Sequence, residues 1–187
     1  MTLEEIREEI DQIDQQMKAL FVRRMGCAEQ VAETKAKSGG DVFVPEREAE
    51  IIKKRTADLR GELQSYYQAL LKYTMCVSRR SQYAILKKMQ EDVIADLLHR
   101  AGLQEAEEHS KVRVSFDCWS EDNSFNMYMN MTALNGIPIQ ELTVTERDGR
   151  QKVTMTLKGN LKDSSMRILL CQLGKEASDF KILSLEK

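Results

Sequence analysis

From Leu3 to about Lys37 the apolar residues fall at Ile6, Ile10, Ile13, Met17, Leu20, Cys27 and Val31, at steps of four and three. That period is the seam of one long amphipathic helix packed against others. Thr2 followed three residues on by Glu5 forms a capping box and sets the start. Ser38-Gly39-Gly40-Asp41 sets the end, because glycine enters left-handed backbone without a side-chain clash. A second helix is predicted from Pro45, whose missing N–H does no harm in a first turn, with Glu46, Glu48 and Glu50 near the positive end of the helix dipole. Ile51, Ile52 and Leu59 give it a core stripe, and Gly61 is its expected stop. A third helix is predicted from about Glu62 to beyond Met89, with the seam Leu71, Met75, Ser78, Gln82, Ile85 and Met89. Helical character continues through Val93, Ile94, Leu97 and Leu98 as far as Gly102.

Beyond a polar linker the period changes. Val112, Val114 and Phe116 alternate in a strand over Lys111–Cys118. Glu141–Glu146 and Gln151–Lys158 flank Arg147-Asp148-Gly149-Arg150, a hairpin with an Asp-Gly turn. Leu161 onward is helical, with Met166, Leu169, Leu170 and Leu173, and Phe180–Leu185 is a last strand. If Ser124–Asn135 is a helix closed by Gly136, the order is βαββαβ; if Met127, Met129 and Met131 alternate on a strand, it is not. The expected class is therefore α+β: helices over 1–102, a linker over 103–110 and an α/β unit over 111–187.

Composition narrows the function. The chain has 187 residues, 42% of them apolar and 31% charged, with a net charge of −2, which suits a protein with a buried core and argues against a partner such as nucleic acid or an acidic membrane. No run approaches the length of a membrane span and the N-terminus has no signal-peptide core, so a cytoplasmic location is expected. In that compartment Cys27, Cys76, Cys118 and Cys171 should be reduced thiols in or near cores. The lack of closely spaced Cys/His pairs speaks against a zinc site.

Two cations break the seam of the first helix. Arg24 and Lys35 stand where core residues are expected, and the eleven positions between them return to within about 20° of one face. Neither has a carboxylate one turn away. A buried cation without a partner is costly, so either these side chains snorkel to water or they await an external anion. Arg7, with Glu4 and Asp11 at helical spacing, reads locally as a solvated surface pair. It also lies seventeen positions before Arg24, about 25 Å along a straight helix. If it binds the same kind of ligand, it must reach a site built mainly by a second copy of the chain. On the third helix Ser78 and Gln82 put a hydroxyl and a carboxamide one turn apart inside an apolar seam. They are an interhelical polar contact, or a serine bonded back to a carbonyl, or part of a ligand site. Taken with Arg24 and Lys35 they suggest an anion pocket within a helical bundle.

These residues carry a family resemblance. The Arg7-containing start with Asp14 after it, the spacing of Arg24 and Lys35, the Arg47-Glu48 pair beyond the loop, and Ser78 with Gln82 make residues 3 to about 90 resemble the all-helical (AroQ class) chorismate mutases. The resemblance implies an interlocked homodimer with two equivalent sites and chorismate as substrate. It implies Arg7 from one chain and Arg24 and Arg47 from the other around the two carboxylates, with Ser78 helping to hold one. Lys35 and Gln82 would face the ether oxygen whose bond breaks, and Glu48 would accept from the ring hydroxyl. Rearrangement of chorismate to prephenate is unimolecular, so no nucleophile, metal or redox cofactor is implied. Fixed cations that hold the compact conformer and meet charge developing on the ether oxygen suffice.

Two positions depart from the family pattern. Val44-Pro45 stands where an Asp-Pro is usual, and Cys76 occupies a position that is acidic in many relatives. Two alternatives stay open: a lyase that eliminates pyruvate from isochorismate with much the same pocket, and a catalytically silent helical dimer acting as a binding or regulatory protein. The βαββαβ order, with Leu134-Asn135-Gly136-Ile137 after its first helix, resembles an ACT-type regulatory domain of ferredoxin-like fold. The signatures of aromatic effector binding are absent: no Gly-Ala-Leu precedes the helix, and Thr143-Val144-Thr145-Glu146 stands where Glu-Ser-Arg-Pro is sought. A dimerisation or stabilising role is therefore the first expectation, and a phenylalanine or tyrosine effector the lesser one.

Overall fold

The computed structural model describes residues 1–105, 108–120 and 124–187. Helices α1 (Leu3–Ser38), α2 (Pro45–Arg55), α3 (Glu62–Ile85) and α4 (Lys87–Ala101) precede a second region in the order β1 (Lys111–Trp119), α5 (Ser124–Leu134), β2 (Ile139–Arg147), β3 (Arg150–Lys158), α6 (Ser164–Glu176) and β4 (Ser178–Glu186). No helix among the described residues is long and apolar enough to cross a membrane.

The start of α1 is fixed by the expected box: Thr2 accepts from the Glu5 amide while the Glu5 carboxylate accepts from the Thr2 amide at 2.6 Å. Gly39, in the left-handed region, closes the helix. Helix α1 packs on α3, and its buried residues, Ala28 and Ala32, lie in its second half. The apolar stripe of the first half is uncovered; Ile6, Ile10, Ile13, Met17 and Leu20 are between 41 and 64% exposed. Cys27, expected in or near a core, is also exposed, whereas Cys76, Cys118 and Cys171 are buried.

Two helix boundaries differ from expectation. Helix α2 stops at Arg55, before Leu59, and Gly61 instead serves as the N-cap of α3. The continuous third helix is in fact two, broken at Leu86, whose ψ of 67° leaves the helical region. Leu86 turns into a buried cluster with Val42, Tyr83, Ile168 and Cys171. The side chain of Gln90 donates to the carbonyls of Tyr83 and Ala84 at 2.6 and 3.4 Å, satisfying groups that the break leaves without helical partners. Ile85, assigned to the seam, ends up exposed.

The second region has the βαββαβ order in an antiparallel sheet ordered β2-β3-β1-β4, the ferredoxin-like arrangement. Met127, Met129 and Met131 lie on α5, not on a strand. The Asp148-Gly149 turn has positive φ at both residues, 54° and 74°, as a hairpin of this twist requires. One face of the sheet, with Val112, Val114 and Phe116 of β1 opposite Leu157, Met155 and Val153 of β3, is the core. The Tyr128 ring of α5 meets Phe116 edge-on at 5.0 Å between centroids.

The two regions share this core. Every residue from Ile168 to Leu173 is buried, which a helix shows only when both its faces are covered. Leu169, Leu170 and Leu173 of α6 join the sheet residues and Ile94, Leu97 and Leu98 of α4 in one cluster, while Ile168 and Cys171 join the cluster around Leu86. Gly174 allows a close approach: a Cβ there would lie 3.0 Å from a Val93 methyl.

Candidate active site

A cavity of about 210 Å³ opens where α1, the 39–44 loop, α2 and α3 meet. Six of the seven residues singled out from sequence line it: Arg24, Lys35, Arg47, Glu48, Ser78 and Gln82. Val31, Val42, Val44, Ile51 and Met75 supply its apolar walls, and Arg79 lines it as well. Arg7 is not there. It sits exposed on the second turn of α1, on the part of that helix which nothing covers.

Each polar side chain is positioned by its element. Arg24 reaches across to α3, where its Nη1 donates to Ser78 Oγ and, at 3.3 Å, to the Thr74 carbonyl. Ser78 Oγ in turn donates back to Thr74 at 2.9 Å, so the interhelical contact and the back-bonded serine are both realised. Lys35, one face along from Arg24, donates through Nζ to the backbone carbonyls of Asp41 and, at 3.3 Å, Val42. Burial, and next the Arg47 guanidinium, lower its ammonium below the ordinary 10.5. Gln82 is buried on α3; its Nε2 makes a long 3.4 Å contact with the Ser78 carbonyl, and its Oε1 has no hydrogen-bond partner among the described residues. A buried amide left so poorly satisfied at the wall of a polar cavity is a group available to a ligand. Arg47 extends from the first turn of α2 and is exposed.

Glu48 has a strong partner that sequence reasoning missed. Arg79 Nη1 donates to both of its carboxylate oxygens, at 2.6 and 2.5 Å. The other edge of the guanidinium forks onto Glu176 of α6, Nε to Oε1 and Nη2 to Oε2, each at 2.8 Å, and the Phe43 ring lies 4.7 Å from its centre. Burial works against the Arg79 charge, but the hydrogen bonds and negative charge of Glu176 and Glu48 outweigh it, and the group stays protonated. Burial pushes the Glu176 carboxyl up while Arg79 pulls it back. Sequence reasoning passed over Arg79 because it lies beside the assigned seam of α3 rather than in it, and Glu176 lies 97 positions away.

Cys76 sits behind the cavity, fully buried, with its thiol pushed up to about 11, first by burial. It is neutral, and Gln172 of α6 reaches its carbonyl at 3.5 Å. Cys76 is thus a docking point for the sheet region. Val44, 39% exposed, presents only an apolar side chain to the cavity.

The arrangement gathers four cations, one of them already paired, with a carboxylate, a hydroxyl and a carboxamide around a small space with apolar walls. It suits a compact dianion that also carries a hydroxyl. A family model for chorismate mutase type II matches residues 6–101. The chain belongs to that family. The match runs from the first turn of α1 to the last residue of α4, so it includes every cavity residue and stops short of the sheet. Comparisons with curated proteins and with solved structures found no match.

Proposed function

We propose that the protein is a chorismate mutase that converts chorismate to prephenate by a Claisen rearrangement in the cavity between α1, α2 and α3. The observation that carries this reading is the convergence of Arg24, Lys35, Arg47, Ser78 and Gln82 on one cavity in a chain of the chorismate mutase type II family. Arg24 and Arg47 grip carboxylates, for which the planar guanidinium is suited, and Ser78 assists. Lys35 and the Gln82 amide meet the ether oxygen as its bond to carbon breaks. To do so the Lys35 ammonium exchanges a loop carbonyl for the substrate, a trade between acceptors at little cost in charge. Glu48 accepts from the ring hydroxyl while still bonded to Arg79. No residue changes its covalent state; the pocket selects the compact conformer and stabilises the transition state.

The working form in this reading is a homodimer in which the uncovered stripe of α1 packs on a second copy and the partner's Arg7 completes each site. We read the chain as a catalytic unit over 1–102, a linker over 103–110 and an ACT-like unit over 111–187. The latter is a stabilising module, its α6 built into the wall behind the cavity.

The test follows chorismate consumption by the purified protein with prephenate and pyruvate both measured. Prephenate alone is expected; pyruvate release identifies a lyase, and a folded protein inert on chorismate refutes the assignment. Arg24→Ala should lower kcat/KM by about a hundredfold or more, as loss of one anion-stabilising donor does in other enzymes.

A further inference from the structure

Resting on the chorismate mutase reading of the cavity, we propose that Glu176 of α6 is a positioning residue of the active site: through Arg79 it holds Glu48 in the orientation that leaves the carboxylate open to the substrate hydroxyl. The sheet region, outside the family match, thereby supplies part of the machinery.

The geometry has three parts. Glu176 engages Arg79 by a two-point fork, 2.8 Å on each arm, which fixes the plane and rotation of the guanidinium. Only Nη1 is left facing Glu48, and it is shared between both oxygens. A carboxylate has about four lone-pair sites, so this single donor steadies Glu48 without exhausting it. The Glu176 carboxylate is fixed in its turn, because Gln172, one turn back on α6, donates to its Oε1 at 3.1 Å.

Charge points the same way. Among the residues lining the cavity Glu48 is the carboxylate that offsets Arg24, Lys35 and Arg47, with Asp41 adding to it at Lys35. Arg79 lines the same space and would act as a fourth cation if Glu176 did not neutralise it. Freed from Glu176, the guanidinium could rotate and carry the Glu48 carboxylate bonded to it out of the orientation that meets the substrate hydroxyl. A merely structural ion pair would not require a place at the cavity wall, and buried pairs are poor evidence of stabilisation in themselves. The neighbouring Lys175 reinforces the link, its Nζ reaching the Asp41 carboxylate at 3.4 Å on the loop that also anchors Lys35.

The experiment is a double-substitution cycle on the full chain, with kcat and KM for chorismate and the melting temperature of each protein measured. Glu176→Gln keeps the shape of the side chain and removes its charge. It should lower kcat/KM about tenfold in the wild-type background and have no further effect in a Glu48→Gln background, because it acts through Glu48. Losses that multiply, or a Glu176→Gln protein as active as the wild type, would overturn the inference. Should Glu176→Gln fail to fold, the paired Arg79→Gln/Glu176→Gln protein removes both buried charges together. The same tenfold loss is expected of it, again absent beside Glu48→Gln, and full activity would overturn the inference. A wild-type protein inert on chorismate would take down the assignment of the cavity and this inference with it. An active wild type with an additive cycle takes down only the inference.

Discussion

Lys35 is the cation whose charge is most exposed to pH. Its ammonium is lowered from 10.5 by burial first and Arg47 second, so deprotonation, which in the proposed mechanism removes the positive charge from the ether oxygen, sets in below the pH at which a free lysine would titrate. The kcat/KM profile, which reports the free enzyme, should therefore fall on its alkaline side with an apparent pKa below 10.5. Gln82 has no proton to lose, so between about pH 5 and 8 residue 82 should leave the profile flat. A steep loss beginning above pH 6 would contradict its part in the reaction. These residues were legible because each breaks a rule: a cation in a seam at Arg24 and Lys35, a polar pair in a seam at Ser78 and Gln82. Arg79 breaks none. Its significance lies entirely in what it touches, and its partners stand 31 and 97 positions away.

At the scale of elements, α1 carries the functional load. Its capping box, its length and its glycine stop were all readable in the sequence, since helix ends are written in local chemistry. The break at Leu86 was not, because no glycine or proline marks it. It arises when Leu86 is drawn into a cluster that includes residues of α6, and Gln90 then covers the carbonyls so released. The uncovered stripe of α1 and the position of Arg7 yield a mixing experiment. Arg7→Ala and Arg24→Ala proteins, each nearly inactive alone, should regain about a quarter of wild-type activity when unfolded and refolded together. Half of randomly paired dimers would then hold one intact site of two. A mixture no more active than its components would show that Arg7 does not act across chains.

For the whole molecule, the helical and sheet regions are one packed body. At Gly174 they approach closely, and a β-branched side chain there would strike Val93 and Leu97. Gly174→Val should destabilise the protein by about 1–3 kcal/mol through overpacking, seen as a lower melting temperature; an unchanged transition would mean that α4 and α6 yield freely. The class of each half was readable from the switch in period from helix to strand near Lys111. The shared core was not, since Met166, Leu169 and Leu173 announce one buried face of α6 but nothing announces the second, made by Ile168, Cys171 and Gln172.

The 97-residue separation of Arg79 from Glu176 has a consequence in time. A chain is made from its N-terminus at about 5–20 residues per second, so α3 leaves the ribosome on the order of 5–20 s before the carboxylate that belongs beside Arg79. Through that interval Tyr83, Leu86 and Leu97 have no α6 to cover them. The catalytic helices are thus made first and completed last, and nascent chains stalled short of Glu176 should be the species that chaperones hold.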